Sequence, residues 1–210
     1  MIRTIIADDH LVVREGIRRI LTTAEGFSIL AEASSGQELL LALRQQSFDL
    51  LLLDLSLPDR VGLDLLNEIH LEFPDLNILI FSGHPEERYG IRSFRAGARG
   101  YLSKEAPAEE VLKAARKVSS RGKYISSRMG EVLEMEITRG PTASPFDSLS
   151  NREFEVFQML AAGKSIGEIA RDFRLSIKTV HGYRSRILIK LGMNSNADII
   201  AYAFRHGLIR

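Results

Sequence analysis

The chain has 210 residues and a formal net charge of +1, which is long enough for two ordinary domains with separate cores. It contains no cysteine, which excludes disulfide bonds, thiolate catalysis and cysteine-ligated metals. No uncharged segment approaches the roughly 18 residues of a membrane-spanning helix, and no N-terminal stretch joins a basic start to a long apolar segment. We therefore expect a soluble, cytoplasmic protein with no membrane partner.

The small net charge hides a division along the chain. Residues 1–120 carry 14 basic and 18 acidic side chains, whereas residues 148–210 carry ten and five. A short basic unit favours a polyanionic partner, although a run of charge is more often only a solvated face.

Short apolar segments alternate with helix-period segments through the first 120 residues. This alternation predicts an α/β doubly wound fold, with a five-stranded parallel sheet covered by helices on both faces. The predicted strands cover 3–7, 28–33, 49–54, 77–82 and 99–103. The first predicted helix carries Val13, Ile17, Ile20 and Leu21 on one face, and the others cover 36–46, 62–72, 86–96 and 107–118.

Polar side chains follow four of these strands: Asp8 with Asp9, Asp54, Ser82 and Lys104. Ligands of doubly wound sheets bind beyond the carboxyl ends of the strands, so we expect these side chains to meet. A carboxylate such as Asp54, at the end of a buried leucine strand, is costly to desolvate and needs partners. Taken singly, each residue is more often a turn or cap residue. The five histidines are far apart and predict no histidine metal site.

Residues 119–147 show weak apolar periodicity and include Pro141 and Pro145, which is typical of a linker. A short helix is predicted within 126–138, docked on a neighbour through Met129, Val132, Leu133 and Met135.

Helix boundary signals follow one another closely from Leu149 onward. Four helices in about 60 residues, the second and third joined by a three-residue turn, predict an all-α helix-turn-helix. The capping boxes are Ser150 with Glu153 and Ser165 with Glu168, and Leu149 with Phe154 forms a hydrophobic staple. The remaining boundaries are Gly163, Ser176, Gly192, Ser195 and Gly207.

These motifs resemble those of a known family. The N-terminal part resembles a two-component receiver domain, through Asp8-Asp9, Asp54 with Pro58 and Gly62, Ser82-Gly83 and Tyr101-Leu102-Ser103-Lys104. The C-terminal part resembles the LuxR-type helix-turn-helix, through residues 149–153, 166–170, 178–180 and 190–192. Together they resemble a NarL/FixJ response regulator with a flavodoxin-like receiver at 1–119, a linker at 120–146 and a DNA-binding domain at 147–210.

The resemblance implies that Asp54 accepts a phosphoryl group from a sensor histidine kinase. Mg²⁺, a hard cation that prefers oxygen ligands, would screen the repulsion between this nucleophile and the phosphoryl oxygens. Asp9 and Asp54 would bind the metal directly, Asp8 would act through water, and the Ser56 carbonyl would add a ligand.

The same resemblance implies a switch. Lys104 would pair with the phosphoryl oxygens, the Ser82 hydroxyl would move to bond one of them, and Tyr101 would follow inward. Tyr101 could instead merely pack on an edge strand. Ser56 and His84 occupy positions that tune phosphate lifetime in the family.

One departure from the family concerns the loop after Lys104. Many receivers place a proline there, but Glu105 follows in this chain and the proline comes at Pro107, which suits a first helical turn. The pattern predicts a more mobile loop.

In the third C-terminal helix, Ile177, Val180, Ile187 and Leu191 are predicted to face inward. The opposite face is expected to enter the major groove of double-stranded DNA. By resemblance, the base-edge contacts are His181, Gly182 and Ser185. The phosphate contacts are Lys178, Thr179, Tyr183, Arg184 and Arg186. Several of these could simply be solvated.

Ile189 is expected to be exposed, either as an isolated apolar residue or in a homodimer contact with Ile199, Tyr202 and Phe204. The sequence thus predicts a phosphorylation-switched transcription factor that is not an enzyme. Two alternatives stay open. An aspartyl-phosphate phosphatase is disfavoured because Ser56 replaces the usual second acid, and a protein-binding output domain is disfavoured by the basic outer face.

Overall fold

The computed structural model describes residues 1–139 and 148–205, and side chains up to residue 134 in the first of these ranges. Backbone contacts divide the chain into unit 1, residues 1–138, and unit 2, residues 139–210. No linker forms a separate group, so the predicted limits of 120–146 stay a prediction. Across the described residues, no helix is both long and apolar enough to cross a membrane.

Unit 1 contains a five-stranded parallel sheet with the order β2-β1-β3-β4-β5. The strands are β1 (Ile2–Ala7), β2 (Phe27–Ala33), β3 (Leu50–Leu53), β4 (Asn77–Ser82) and β5 (Gly100–Ser103). The helices are α1 (Leu11–Thr22), α2 (Gly36–Gln45), α3 (Gly62–Glu72), α4 (Glu86–Arg95), α5 (Ala108–Ser119) and α6 (Ser127–Arg139). The predicted doubly wound fold is confirmed.

The central strand β3 explains where the polar edge of the sheet lies. Its four leucines are at most 1% exposed, because helices cover both faces of the sheet. Leu53 is paired with Ala7 on β1 and with Ile80 on β4, so the strands end at nearly the same level. The strand order reverses between β1 and β3, which is where ligands bind in such folds.

The loop between β3 and α3 is fixed at two points. A side chain at Gly62 would overlap the Leu55 carbonyl oxygen. The Asp59 carboxylate accepts hydrogen bonds from the Gly36 and Gln37 amides, at 2.7 and 2.9 Å, and so satisfies the free N–H groups at the start of α2. This loop is therefore held close to the strand ends.

The predicted helix in the linker region is present as α6, and the neighbour on which it docks is α4. Met129 is fully buried there, and Val132 and Leu133 are half-buried. The Met135 side chain lies outside the described residues.

Unit 2 contains four described helices: α7 (Asn151–Ala161), α8 (Ile166–Asp172), α9 (Ile177–Leu191) and α10 (Asn196–Arg205). Both predicted capping boxes are formed, and Ser176 and Ser195 accept hydrogen bonds from the amides three residues later. The predicted end at Gly207 lies outside the described residues. The core includes Phe157, Val180, Ile187 and Ile199, all 0% exposed.

Candidate functional site

The edge of the sheet in unit 1 holds two buried acids around one cation. The Asp8 and Asp54 side chains are 1% and 0% exposed. Lys104 Nζ lies 2.7 Å from Asp54 Oδ2 and 2.7 Å from Asp8 Oδ2. Burial of a charge is costly in free energy unless the charge is paired. The Lys104 ammonium therefore offsets part of the cost of burying both carboxylates.

The charge state of Lys104 is fixed by these neighbours. Burial of the ammonium disfavours its charge, but hydrogen bonds to Asp54 and Asp8 outweigh this effect and raise the pKa of Lys104 above its ordinary value. The ammonium of Lys104 therefore lies beside Asp54, suited to bind a second anionic group that arrives there.

Ligand atoms of Asp8, Asp9, His10 and Asp54 all lie within 4.8 Å of one another. Asp54 Oδ1 is buried and has no hydrogen-bond partner within the described part of the chain. An orphaned carboxylate oxygen among acids fits a hard cation, so the cluster is compatible with Mg²⁺ binding.

His10 is a member of this cluster that the sequence pattern did not reveal. Its Nδ1 lies 2.7 Å from Asp9 Oδ1 and 3.4 Å from Asp8 Oδ1. The five histidines are far apart in the sequence, whereas the informative signal is that His10 directly follows two acids.

Ser56, two residues after Asp54, contacts His84, with Ser56 Oγ 3.1 Å from His84 Nε2. We call this pair of residues the entrance to Asp54. Burial lowers the pKa of His84, and the nearby Asp54 charge only partly opposes this effect. The His84 ring also stacks on the Tyr89 ring, with the two ring centroids 4.4 Å apart.

Tyr101 already occupies an inward position, at 0% exposure. Its hydroxyl donates a hydrogen bond of 2.9 Å to the His84 carbonyl, and burial raises the pKa of this phenol. The buried hydroxyl of Ser82 accepts a long hydrogen bond of 3.4 Å from the His84 amide. Tyr101 and Ser82, the residues proposed to switch, are therefore both hydrogen-bonded to the backbone of His84.

The loop after Lys104 forms a local turn. The Ser103 hydroxyl and carbonyl accept hydrogen bonds from the Glu105 and Ala106 amides, at 3.2 and 2.9 Å. Pro107 lies immediately before α5, near its predicted place. The greater mobility of this loop stays a prediction.

The outer face of α9 differs in one position from the prediction. Val180 and Ile187 are buried as predicted, but Ile177 is 58% exposed, so its predicted inward position is wrong. Ile177 is the first residue of the helix. It lies four and eight residues before His181 and Ser185, which are also exposed, and so extends their face.

The other predicted DNA contacts of α9 fall into two groups. Lys178 and Thr179 are exposed, and a Cβ at Gly182 would meet no atom within 4 Å. Tyr183, Arg184 and Arg186 make contacts within unit 2. The Arg184 Nε donates to Asn196 Oδ1 at 2.6 Å, and the Arg186 guanidinium lies 4.7 Å from the Tyr183 ring centroid.

A buried glutamate joins α7 to α9. Glu153 is 3% exposed, and its carboxylate accepts hydrogen bonds from Arg186 Nε at 3.1 Å and Lys190 Nζ at 2.7 Å. Burial opposes ionisation of Glu153, but the bonds from Lys190 and the Ser150 amide prevail and hold its pKa below the ordinary value. These contacts fix the orientation of α9.

Only some of the residues predicted to form a dimer contact are exposed on the surface of unit 2. Ile189 and Phe204 are 79% and 67% exposed, and Tyr202 is half-buried. Ile199 is 0% exposed, so its predicted role in an external contact is wrong. Ile199 and Ala203 are one helical turn apart and form the inner face of α10.

Two family models match the chain. The response regulator receiver domain matches residues 4–116, and the luxR family of bacterial regulatory proteins matches residues 147–203. The chain is a response regulator of the NarL/FixJ type. Its predicted membership of this family is thereby confirmed, and so is its predicted function as a DNA-binding regulator of transcription.

Known response regulators match over nearly their full length. The response regulator UvrY of Escherichia coli strain K12 is 37% identical over 209 residues, which cover 99% of this chain and 96% of that protein. GacA of Pseudomonas aeruginosa is 34% identical over 210 residues, which cover 100% and 98%.

Among solved structures, RcsB of Salmonella enterica serovar Typhimurium bound to the promoter P1flhDC with the phosphomimetic BeF3⁻ is similar to this response regulator. The TM-score is 0.67 at 26% identity, covering 96% of this chain and 97% of that one. RcsB bound to the promoter rprA has a TM-score of 0.66 at 26% identity, covering 96% and 98%. The family comprises DNA-binding regulators, so this response regulator is assigned to that class rather than to the enzymes.

Proposed function

We propose that Asp54 accepts a phosphoryl group from a sensor histidine kinase and that this event controls dimerisation and promoter binding. The observation that supports this assignment is the Asp54 carboxylate itself. One oxygen is held by Lys104, the other is buried without a partner in the described residues, and the carboxylate lies at the switch in strand order. Because its target is DNA, the proposed place of action is the cytoplasm.

Mg²⁺ is the proposed cofactor. Asp9 and Asp54 would bind it directly, Asp8 would act through water, and the Ser56 carbonyl would supply a further oxygen ligand. When bound, the metal would supply positive charge that screens Asp54 from the oxygens of the incoming phosphoryl group. Support comes from the close grouping of the acidic oxygens.

Lys104 is already charged and placed to exchange a carboxylate contact for a phosphoryl contact. The Ser82 hydroxyl turns toward the phosphoryl group, and Tyr101 holds the inward position that its buried ring already has. Ser56 and His84, which bond each other at the entrance, tune the lifetime of the phosphoryl group by controlling the approach of water.

The outer face of α9 is the proposed DNA-binding surface. His181, Gly182 and Ser185 approach base edges, and we add Ile177, whose exposed side chain suits a thymine methyl group. Lys178, Thr179, Tyr183, Arg184 and Arg186 bind phosphates, although Arg184 and Arg186 also hold α9 in place. Ile189 and Phe204 are the apolar candidates for a homodimer contact.

Phosphoryl uptake is tested with acetyl phosphate, Mg²⁺ and intact-mass measurement. The wild-type chain is expected to gain one phosphoryl group and Asp54→Asn none. Asp49→Asn is the matched control, because Asp49 flanks the opposite end of β3 and pairs with Arg3 on the surface. Uptake by Asp54→Asn equal to that of Asp49→Asn would remove the assignment.

DNA binding is tested by selecting genomic fragments with and without acetyl phosphate, then measuring affinity against salt. Lys178→Ala is expected to reduce the slope of log affinity against log salt by about one, because one phosphate contact is lost. Lys123→Ala removes a lysine of unit 1 that is also exposed and should leave the slope unchanged. Equal slopes for the two variants would contradict the assignment of Lys178.

A further inference from the structure

Two polar contacts hold the start of α6 on α4. Ser126 Oγ donates a hydrogen bond of 2.7 Å to Glu86 Oε2, and also accepts one from the Met129 amide at 3.0 Å. Arg128 pairs with Glu87. Both glutamates belong to the first turn of α4, which directly follows the loop that carries His84.

An apolar contact lies beside them. Met129 is 0% exposed, and a side chain at Gly90 would overlap the Met129 methyl group. We call residues 126–130 the latch. The latch occupies a docking surface on α4 that accepts a methionine only because position 90 carries no side chain.

The same part of α4 contacts the entrance to Asp54. Tyr89 precedes Gly90, is 4% exposed and stacks on the His84 ring. His84 Nε2 in turn lies 3.1 Å from Ser56 Oγ, two residues after Asp54. A continuous series of contacts therefore joins the proposed phosphorylation site to the latch within unit 1.

We propose that the latch reports the phosphorylation state of Asp54 and opens when the phosphoryl group is present. This inference rests on the function proposed above and extends it from the acceptor to the linker. His84 and Tyr89 act as positioning residues between the acceptor and the latch, because neither needs to touch the output domain.

A phosphoryl group brings about two negative charges and three strong acceptor oxygens to the entrance. These oxygens compete for the Ser56 hydroxyl and for the facing nitrogen of His84. The His84 ring cannot turn from Ser56 to a phosphoryl oxygen and keep the same stacking on Tyr89. Tyr89 is buried, so its displacement moves α4 where Met129 is seated.

The contacts that the structure describes for residues 126–130 include one buried methionine, one hydroxyl–carboxylate bond and one ion pair with partly exposed partners. Segments with few buried contacts open at the low end of the local stability range, so a small bias changes their population.

Hydrogen exchange in the full chain tests the proposal. With acetyl phosphate and Mg²⁺, the amides of residues 130–134 are expected to exchange about tenfold faster, because opening exposes the first turns of α6. Tyr89→Leu, which keeps an apolar side chain but removes the stack, is expected to take up the phosphoryl group without this change.

The intact masses of the same samples show whether a negative result concerns the phosphorylation of Asp54 or only the latch. A wild-type chain that gains no phosphoryl group overturns the function proposed for Asp54, and the latch with it. A phosphorylated chain whose α6 exchange is unchanged overturns the latch alone. The latch is also overturned if Tyr89→Leu responds as fully as the wild type.

Gly90→Ala tests the docking surface without phosphorylation. The new methyl group displaces Met129, so α6 is expected to exchange faster in the untreated chain. Gly16→Ala is the control, because Gly16 lies within α1 and an added Cβ there meets no atom within 4 Å. Alanine favours helices over glycine, so both variants should fold. Equal α6 exchange in the two variants would contradict the proposed docking surface.

Discussion

The acid site of unit 1 and the outer face of α9 both carry charged side chains, but they hold them in opposite ways. Asp8 and Asp54 are almost fully buried around Lys104, whereas Lys178 is exposed on α9. Buried charges interact strongly and are poorly screened, while exposed charges are weakened by salt. Substitutions in the acid site should therefore change stability and function together, and a substitution of the exposed Lys178 should change recognition alone.

The largest effect is expected from Lys104→Met. It leaves two acids buried without their cation, so the unfolding free energy of unit 1 should fall by about 3 kcal/mol. Native-state hydrogen exchange at the β3 amides measures this loss. Lys164→Met removes a surface pair with Asp172, both 44% exposed, and should cost less than about 1 kcal/mol. A loss equal to that of Lys164→Met would remove the contrast between the two regions.

Addition of Mg²⁺ should stabilise unit 1 and leave unit 2 unchanged. At about 100 times the dissociation constant, a ligand that binds only the folded state adds about 2.7 kcal/mol. Exchange at the β3 and α7 amides can be followed in one experiment, with NaCl of equal ionic strength as the control. Asp9→Asn should reduce the gain, and equal gains in the two units would exclude a metal site at the acids.

Glu153→Gln should destabilise unit 2 by about 2 kcal/mol, because a buried carboxylate that binds two cations becomes neutral. Exchange at the α7 amides measures the change, and Asp172→Asn is the surface control. The folded-state pKa of Glu153 is lowered, so its contribution is present above the unfolded pKa and is lost as the pH falls through the folded value. The variant and the wild type should converge in that acidic range.

The smallest effect is expected from the recognition face itself. Ile177→Ser should weaken binding to a selected site about fourfold, equivalent to the loss of about one buried methyl contact of 0.8 kcal/mol. Replacement of single thymines by uracil removes the methyl groups from the DNA. One such position should weaken the wild type and not Ile177→Ser, and the proposed contact fails if no position distinguishes them.

Much of this architecture could be predicted because its signals are local. The Asp54 carboxylate follows a run of leucines, and a parallel sheet brings such strand ends to one edge. The capping box of Ser150 and Glu153 is contained within four residues. In both cases the neighbours in sequence determine the local conformation.

The remaining features depend on neighbours distant in sequence. The spacing of Ile177 from Val180 suggested an inward side chain, but a helix end is covered only if another element reaches it. Ile199 was predicted to take part in a dimer contact, yet its spacing from Ala203 matches the inner face of α10. Nothing in the sequence around Gly90 indicates that its partner is Met129, because that contact depends on how α6 packs on α4.

The loop of residues 55–61 also matters for protein engineering. At one end of the loop, Gly62 packs closely against the Leu55 backbone. In the middle, the Asp59 carboxylate is hydrogen-bonded to two amides in the first turn of α2. An insertion in this loop, or a side chain at Gly62, would displace the strand end that carries Asp54. Receiver grafts and chimaeras built from this chain should therefore retain residues 54–62 as a single block and place their junctions elsewhere.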